Sequence, residues 1–158
     1  IDSQFAVHDH RSDPAVVAAA GEALSRGAVG DQLWAATYVW VNEGDDPEPL
    51  LVLIDHEDVT IRVMAGTGLI ARGRTEGFAP LIAALTDEIV VVGHEPPAPA
   101  WVMATTSLMR FTGRGDLGPP LDADSSQLLS AQHRWQSWLV DNQDSLSFDL
   151  EEMLWHTD

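Results

Sequence analysis

The chain contains no cysteine, which excludes disulfides, thiolate-held zinc and thiol catalysis. It also lacks lysine: all eight basic side chains are arginine, set against 25 aspartates and glutamates, for a formal net charge of −17. No run approaches the roughly 18 apolar residues that a membrane-spanning helix requires. The opening Ile1-Asp2-Ser3-Gln4 is neither basic nor apolar enough for a signal peptide. Phosphate-rich partners are bound by neutralising their charge with Lys and Arg, so neither nucleic acid nor a membrane is expected as a partner. A basic protein partner and a cytoplasmic location are expected instead. Plain solubility, or adaptation to salt, is the alternative use of so acidic a surface.

What the sequence does have is apolar mass and a recurrent spacing. Of its 158 residues, 45% are hydrophobic, including six tryptophans, enough for one sizeable core. Ala36-x3-Trp40-x3-Gly44, Ala65-x3-Leu69-x3-Gly73 and Ala104-x3-Leu108-x3-Thr112, the last followed by Gly113, each place a small residue, a large apolar residue and a stop at helical spacing. Between them, Pro49 to Ile54 and Pro80 to Leu85 are proline-led apolar runs that end in Asp55-His56-Glu57-Asp58 and Thr86-Asp87-Glu88. They predict short partner helices at 49–55 and 77–86, each followed by a longer helix, the first of these at 59–72 with Asp58 as its cap.

Upstream, Asp13-Pro14 opens a helix that Gly27 stops, and Asp31 opens a second, apolar nearly all round. The third unit departs from the pattern. Ala65 and Ala104 are 39 residues apart where Ala36 and Ala65 are 29 apart, and the excess is an inserted segment at 89–98 whose consecutive valines suit an extended strand. A Gly/Pro/Asp loop then leads to a helix over 127–142 with Trp135 and Trp138 on one face, and the acidic tail at 143–158 suits a short docking helix.

This arrangement of proline-led helix, acidic turn, alanine-bearing helix and glycine resembles the bacterial HEAT-like repeat family, of the phycobilin-lyase type. The resemblance implies an all-α fold, an α-solenoid of about three helical hairpins closed by a C-terminal capping helix. The divisions would be an arm at 1–12, repeats at 13–113 with the insert at 89–98, a loop and capping helix at 114–142, and the tail at 143–158.

Chemistry-bearing motifs are few. Gly113-Arg114-Gly115-Asp116-Leu117-Gly118 spells a dinucleotide-binding G-x-G-x-x-G, but it follows a helix and runs into Pro119-Pro120, the wrong context for a Rossmann turn. Asp122-x-Asp124-x-Ser126 starts like a calcium loop and lacks its glycine and closing glutamate, so a helix cap explains it better. His8-Asp9-His10 offers two imidazoles without a third ligand. His56, His94 and His133 have no nucleophile elbow or paired-histidine motif beside them, and His94-Glu95 is the one acid/base pair worth weighing. No catalytic residue, cofactor or metal is therefore expected.

Small acidic HEAT-like proteins resemble immunity partners of basic toxins, which implies a non-enzymatic module that occludes a basic protein, a toxin among the candidates. A scaffold or regulatory subunit, and a lyase-type enzyme of HEAT-like architecture, are the alternatives. The expected contact residues are an acidic rim of Asp55, Glu57, Asp58, Asp87, Glu88 and Glu95, with Asp31 on the same edge. Val91 and His94 of the inserted loop, and Trp155 as an exposed anchor in the tail, complete the set.

Overall fold

The computed structural model describes residues 13–91 and 96–157. It is 62% helical, far above the roughly one-third of an average globular protein, with one small antiparallel sheet near the C-terminal end. In chain order the elements are α1 (Pro14–Ser25), α2 (Gly30–Glu43), α3 (Glu48–Leu51), α4 (Val59–Ile70), α5 (Phe78–Ala83), α6 (Ala100–Thr112), α7 (Ser125–Asn142), β1 (Leu146–Asp149) and β2 (Leu154–Thr157). Helix α1 packs on α2, α3 on α4 and α5 on α6, while α2, α4 and α6 are neighbours in that order and α7 lies on α5. Among the described residues no helix is long and apolar enough to cross a membrane.

Local chemistry accounts for most helix ends. The Asp13 carboxylate accepts from Ala15 N at 2.8 Å with Pro14 at the first helical position, and Asp58 accepts from Thr60 N at 2.8 Å. Asp124 and Gln127 form a reciprocal capping box at the start of α7, the use anticipated for the calcium-like acids. Gly113 closes α6 in the left-handed conformation, φ 68°, so the G-x-G-x-x-G stretch is a helix stop followed by a single tight turn at Gly115–Leu117. Helix α2 starts one residue before Asp31, after Val29, and has no side-chain cap. The partner helices are shorter than predicted. In both, i→i+3 bonds replace part of the α ladder, as at Leu53 N to Leu50 O, because prolines in or before the first turns remove N–H donors.

Helix α4 is the centre. Ile61, Met64, Ala65 and Leu69 join one apolar cluster with Leu24, Leu33, Ala36 and Leu50. Val59, Val63 and Ile70 join another with Phe78, Leu81, Leu108, Trp135 and Trp138. An element that must bury two faces has to be apolar around its circumference, and it must be narrow wherever a neighbour crosses. A Cβ on Gly68 would meet Leu50 Cδ1 at 2.6 Å, and one on Gly66 would meet the Gly77 carbonyl oxygen at 3.0 Å. Ala65 and Ala104 are fully buried, and Thr67 Oγ1 shares a 2.7 Å hydrogen bond with Ser107 Oγ between α4 and α6. Ala65→Leu would force extra volume into this close-packed contact and should destabilise by about 1–3 kcal/mol, read as a lower urea midpoint at constant slope. An unchanged midpoint would mean that Ala65 is not at a helix contact.

The tail is not a helix. Leu146 pairs with Thr157 and Phe148 with Trp155 in a hairpin that buries Trp155 and half-buries Leu146, Phe148 and Leu154. Trp155 belongs to the second cluster, with Phe78 and Ile70, and Leu146 and Phe148 pack against that cluster. Among its described residues the inserted segment pairs through a bridge between Val90 and Pro99. Val91 N donates to Ala98 O and Ala100 N to Ile89 O across its neck.

Candidate functional site

The N-terminal ends of α2 and α4 lie side by side and leave a cavity of about 680 Å³ between them. Its walls are Leu33, Trp34 and Ile61, and its polar lining is Asp31, His56, Glu57 and Asp58. The carboxylates stand there for local reasons. Asp58 caps α4, Asp31 lies in the first turn of α2, and an acid at a helix N-terminus is favoured by the helix dipole. His56 Nδ1 accepts from Asp58 N at 3.0 Å, which holds the imidazole against the turn. Arg62 donates Nη1 to the His56 and Glu57 carbonyls at 2.6 and 2.8 Å. Trp34 stacks on Tyr38, one helical turn along α2, with centroids 5.5 Å apart and planes at 8°, and Tyr38 is 54% exposed.

Of the expected contact residues, Glu57 and Asp58 thus share one cavity with Asp31. Asp55 is exposed in the same turn. Asp87 and Glu88 do not line it; the Asp87 carboxylate accepts from Ile89 N at 2.9 Å at the neck of the inserted segment. His94 and Glu95, like His8 and His10, lie outside the described residues.

Two expectations are corrected by burial. Val91 is only 3% exposed and belongs to the second core cluster, so it cannot offer apolar contact to a partner. Trp155 is 5% exposed, packs against Phe78 and Phe148 and donates Nε1 to the Ile70 carbonyl at 3.0 Å. An indole that satisfies its one donor inside the protein is a core group, not an interface anchor. Tyr38, exposed, and Trp34, half-buried, lie on the helix that the sequence marks as apolar nearly all round. Their signal was the i, i+4 spacing of two amphipathic rings, which core and surface aromatics share.

The distribution of positive charge sharpens the picture. Arg26 pairs with Glu22, Arg74 with Glu48 and Glu76, and Arg114 with Asp116. Arg62, Arg72 and Arg134 are directed to backbone carbonyls, and Arg110 lies over the Phe111 ring. Among the described residues Asp31, Asp55, Glu57, Asp58 and Glu88 have no ion pair.

A second group of polar side chains sits on the hairpin, where donor atoms of Asp149, Glu152 and His156 lie within 4.8 Å of one another. Each is engaged within the turn: Asp149 Oδ1 accepts from Glu151 N and Glu152 N at 2.8 and 3.0 Å, and His156 Nε2 meets Glu152 Oε2 at 3.1 Å. The amides of Glu152 and Glu151, assisted by His156, hold the Asp149 carboxyl below its ordinary range. A depressed folded pKa contributes stability above the unfolded value, about 3.9, that disappears as the pH falls through the folded value. The stability difference between the parent and Asp149→Ala should therefore be constant from neutral pH down to about 5 and shrink below about 4. Urea titrations across that range check it; a difference that grows in acid would contradict the assignment.

Comparisons with protein-family models, with curated proteins and with solved structures return no match for this chain.

Proposed function

We propose that the protein is a non-enzymatic binding module, a HEAT-like stack whose acidic edge docks a basic protein in the manner of an immunity or inhibitor protein. The observation that carries this is the collection of Asp31, Glu57 and Asp58 about one cavity, with no ion pair to any of them among the described residues. Unneutralised carboxylates gathered on one edge raise the local potential and steer a cationic partner into contact. The row of α2, α4 and α6, each backed by a shorter or earlier helix, supports the repeat reading, as do the buried Ala36, Ala65 and Ala104 at matching positions.

The test is association kinetics. A partner captured from the source organism is remade in pure form and measured against the parent and against Asp31→Asn/Glu57→Gln/Asp58→Asn, in which asparagine keeps the α4 cap. A basic partner, with association slowed and its salt dependence flattened in the variant, supports the reading. A neutral or acidic partner, or unchanged rates at every salt concentration, overturns it.

The lyase-type alternative is favoured by one observation, the volume of the same cavity, which falls in the range of about 300–1,000 Å³ typical of small-molecule sites. Its polar lining nevertheless supplies no nucleophile paired with a base. The His56 Nδ1 that could act as base is occupied by Asp58 N–H.

A further inference from the structure

We infer that the cavity between the N-terminal ends of α2 and α4 is a receptor for an arginine side chain presented by the partner protein. The inference rests on the docking reading above and names what enters the site. Leu33 and Ile61 form apolar walls and Trp34 a flat aromatic one, stacked on a Tyr38 that is itself open to solvent. A bare carboxylate cluster would attract any cation. An aromatic face beside carboxylates favours a planar one whose stem is apolar, because a guanidinium stacks on the indole while its N–H fork meets carboxylate oxygens, and its methylenes cover the apolar wall.

Lysine meets only part of this description. Its compact ammonium is strongly hydrated and cannot stack. The cavity, about 680 Å³, has room for an arginine side chain together with the backbone that carries it. Charge complementarity disfavours the opposite occupant: an anion would meet Asp31, Glu57 and Asp58, and no arginine is among the residues that line the cavity.

The experiment uses the whole chain labelled with 5-fluorotryptophan, whose six indoles report separately by fluorine NMR. The Trp34 resonance is assigned by its loss in Trp34→Phe. The probe is acetyl-Gly-Arg-Gly-amide, with the citrulline and lysine tripeptides as comparisons; citrulline keeps the planar shape and lacks the charge. The arginine peptide should move the Trp34 resonance saturably and leave Trp135, Trp138 and Trp155 in place. The lysine peptide should bind several-fold more weakly and the citrulline peptide on the order of tenfold more weakly. Asp31→Asn/Glu57→Gln/Asp58→Asn should weaken the arginine peptide by a comparable factor.

A Trp34 resonance that stays fixed in millimolar arginine peptide overturns the inference. So does an equal response to citrulline, which would make the cavity a site for neutral ligands. Failure here leaves the docking reading standing if the carboxylate variant still slows association with the whole partner. That reading fails by itself if the arginine peptide binds while partner association ignores the carboxylates.

Discussion

Trp155→Ala should lower the free energy of unfolding by about 3–5 kcal/mol, the range for truncating a large buried aromatic side chain. The ring stands edge-on to Phe78 with centroids 5.3 Å apart, tilts against Phe148 at 5.2 Å, and anchors the hairpin to the C-terminal end of α4 through Ile70 O. Trp155→Phe keeps an aromatic in the cluster but removes the indole donor, leaving Ile70 O only its bond from Gly73 N at 3.2 Å, so an intermediate loss of about 1–2 kcal/mol is expected. Urea unfolding followed by far-ultraviolet circular dichroism gives both values. A tryptophan serving only as an exposed anchor would cost within about 0.5 kcal/mol, and that result would detach the hairpin from the core.

Arg72→Ala should cost about 2–4 kcal/mol, from the loss of several charge-assisted hydrogen bonds and the stranding of their acceptors. The Arg72 guanidinium terminates a helix other than its own. Nη2 donates to the carbonyls of Trp40, Val41 and Gly44 at 2.9, 3.0 and 2.7 Å, Nε adds a bond to Gly44 O, and Nη1 returns to Gly68 O. The last carbonyls of a helix have no intrahelical donor, and α2 has no basic residue in its final turn to satisfy them. Burial pushes the Arg72 pKa down, opposed by the charge of Asp45, but far too little to neutralise a guanidinium at any ordinary pH. Arg72→Lys retains the charge without the fork and should recover less than half of the loss. The comparison is Arg26→Ala, whose partner Glu22 is exposed and whose removal should change the urea midpoint little. Equal effects at the two positions would show that the carbonyl network does not hold α2 to α4.

Much of the fold was legible because its signals are local. Asp13, Asp58 and Asp124 cap the helices they precede, and Gly27 and Gly113 adopt the left-handed turn that follows a helix. The hairpin was missed because Leu146, Phe148, Leu154 and Trp155, interleaved with acids, satisfy helical and strand periodicities almost equally over so short a stretch. What decides between them is Phe78, far upstream in the chain, which supplies the surface that an extended pair of strands can cover. The candidate site was legible in part. Asp31, Glu57 and Asp58 stood out as charge, but the cavity they share exists only because α2 and α4 set their first turns beside each other, and no motif encodes that spacing. Val91 was misplaced for a similar reason. A valine in an insert looks exposed until the chain returns to Ala98, whose carbonyl accepts from Val91 N while the valine side chain joins the core.

The hydrogen bond from Trp155 to Ile70 spans 85 positions of sequence, whereas pairings such as α1 with α2 or α3 with α4 join neighbours in the chain. Such a contact closes late, since a long loop must be ordered before it returns any stabilisation. During synthesis the helices through α6 can collapse as they emerge, while Phe78 keeps an uncovered face until residues 146–157 have left the ribosome. The hairpin is thus the cover of one side of the core: without residues 146–157 the ring of Phe78 would lose the indole edge that shields it, and exposed aromatic surface of that kind promotes aggregation.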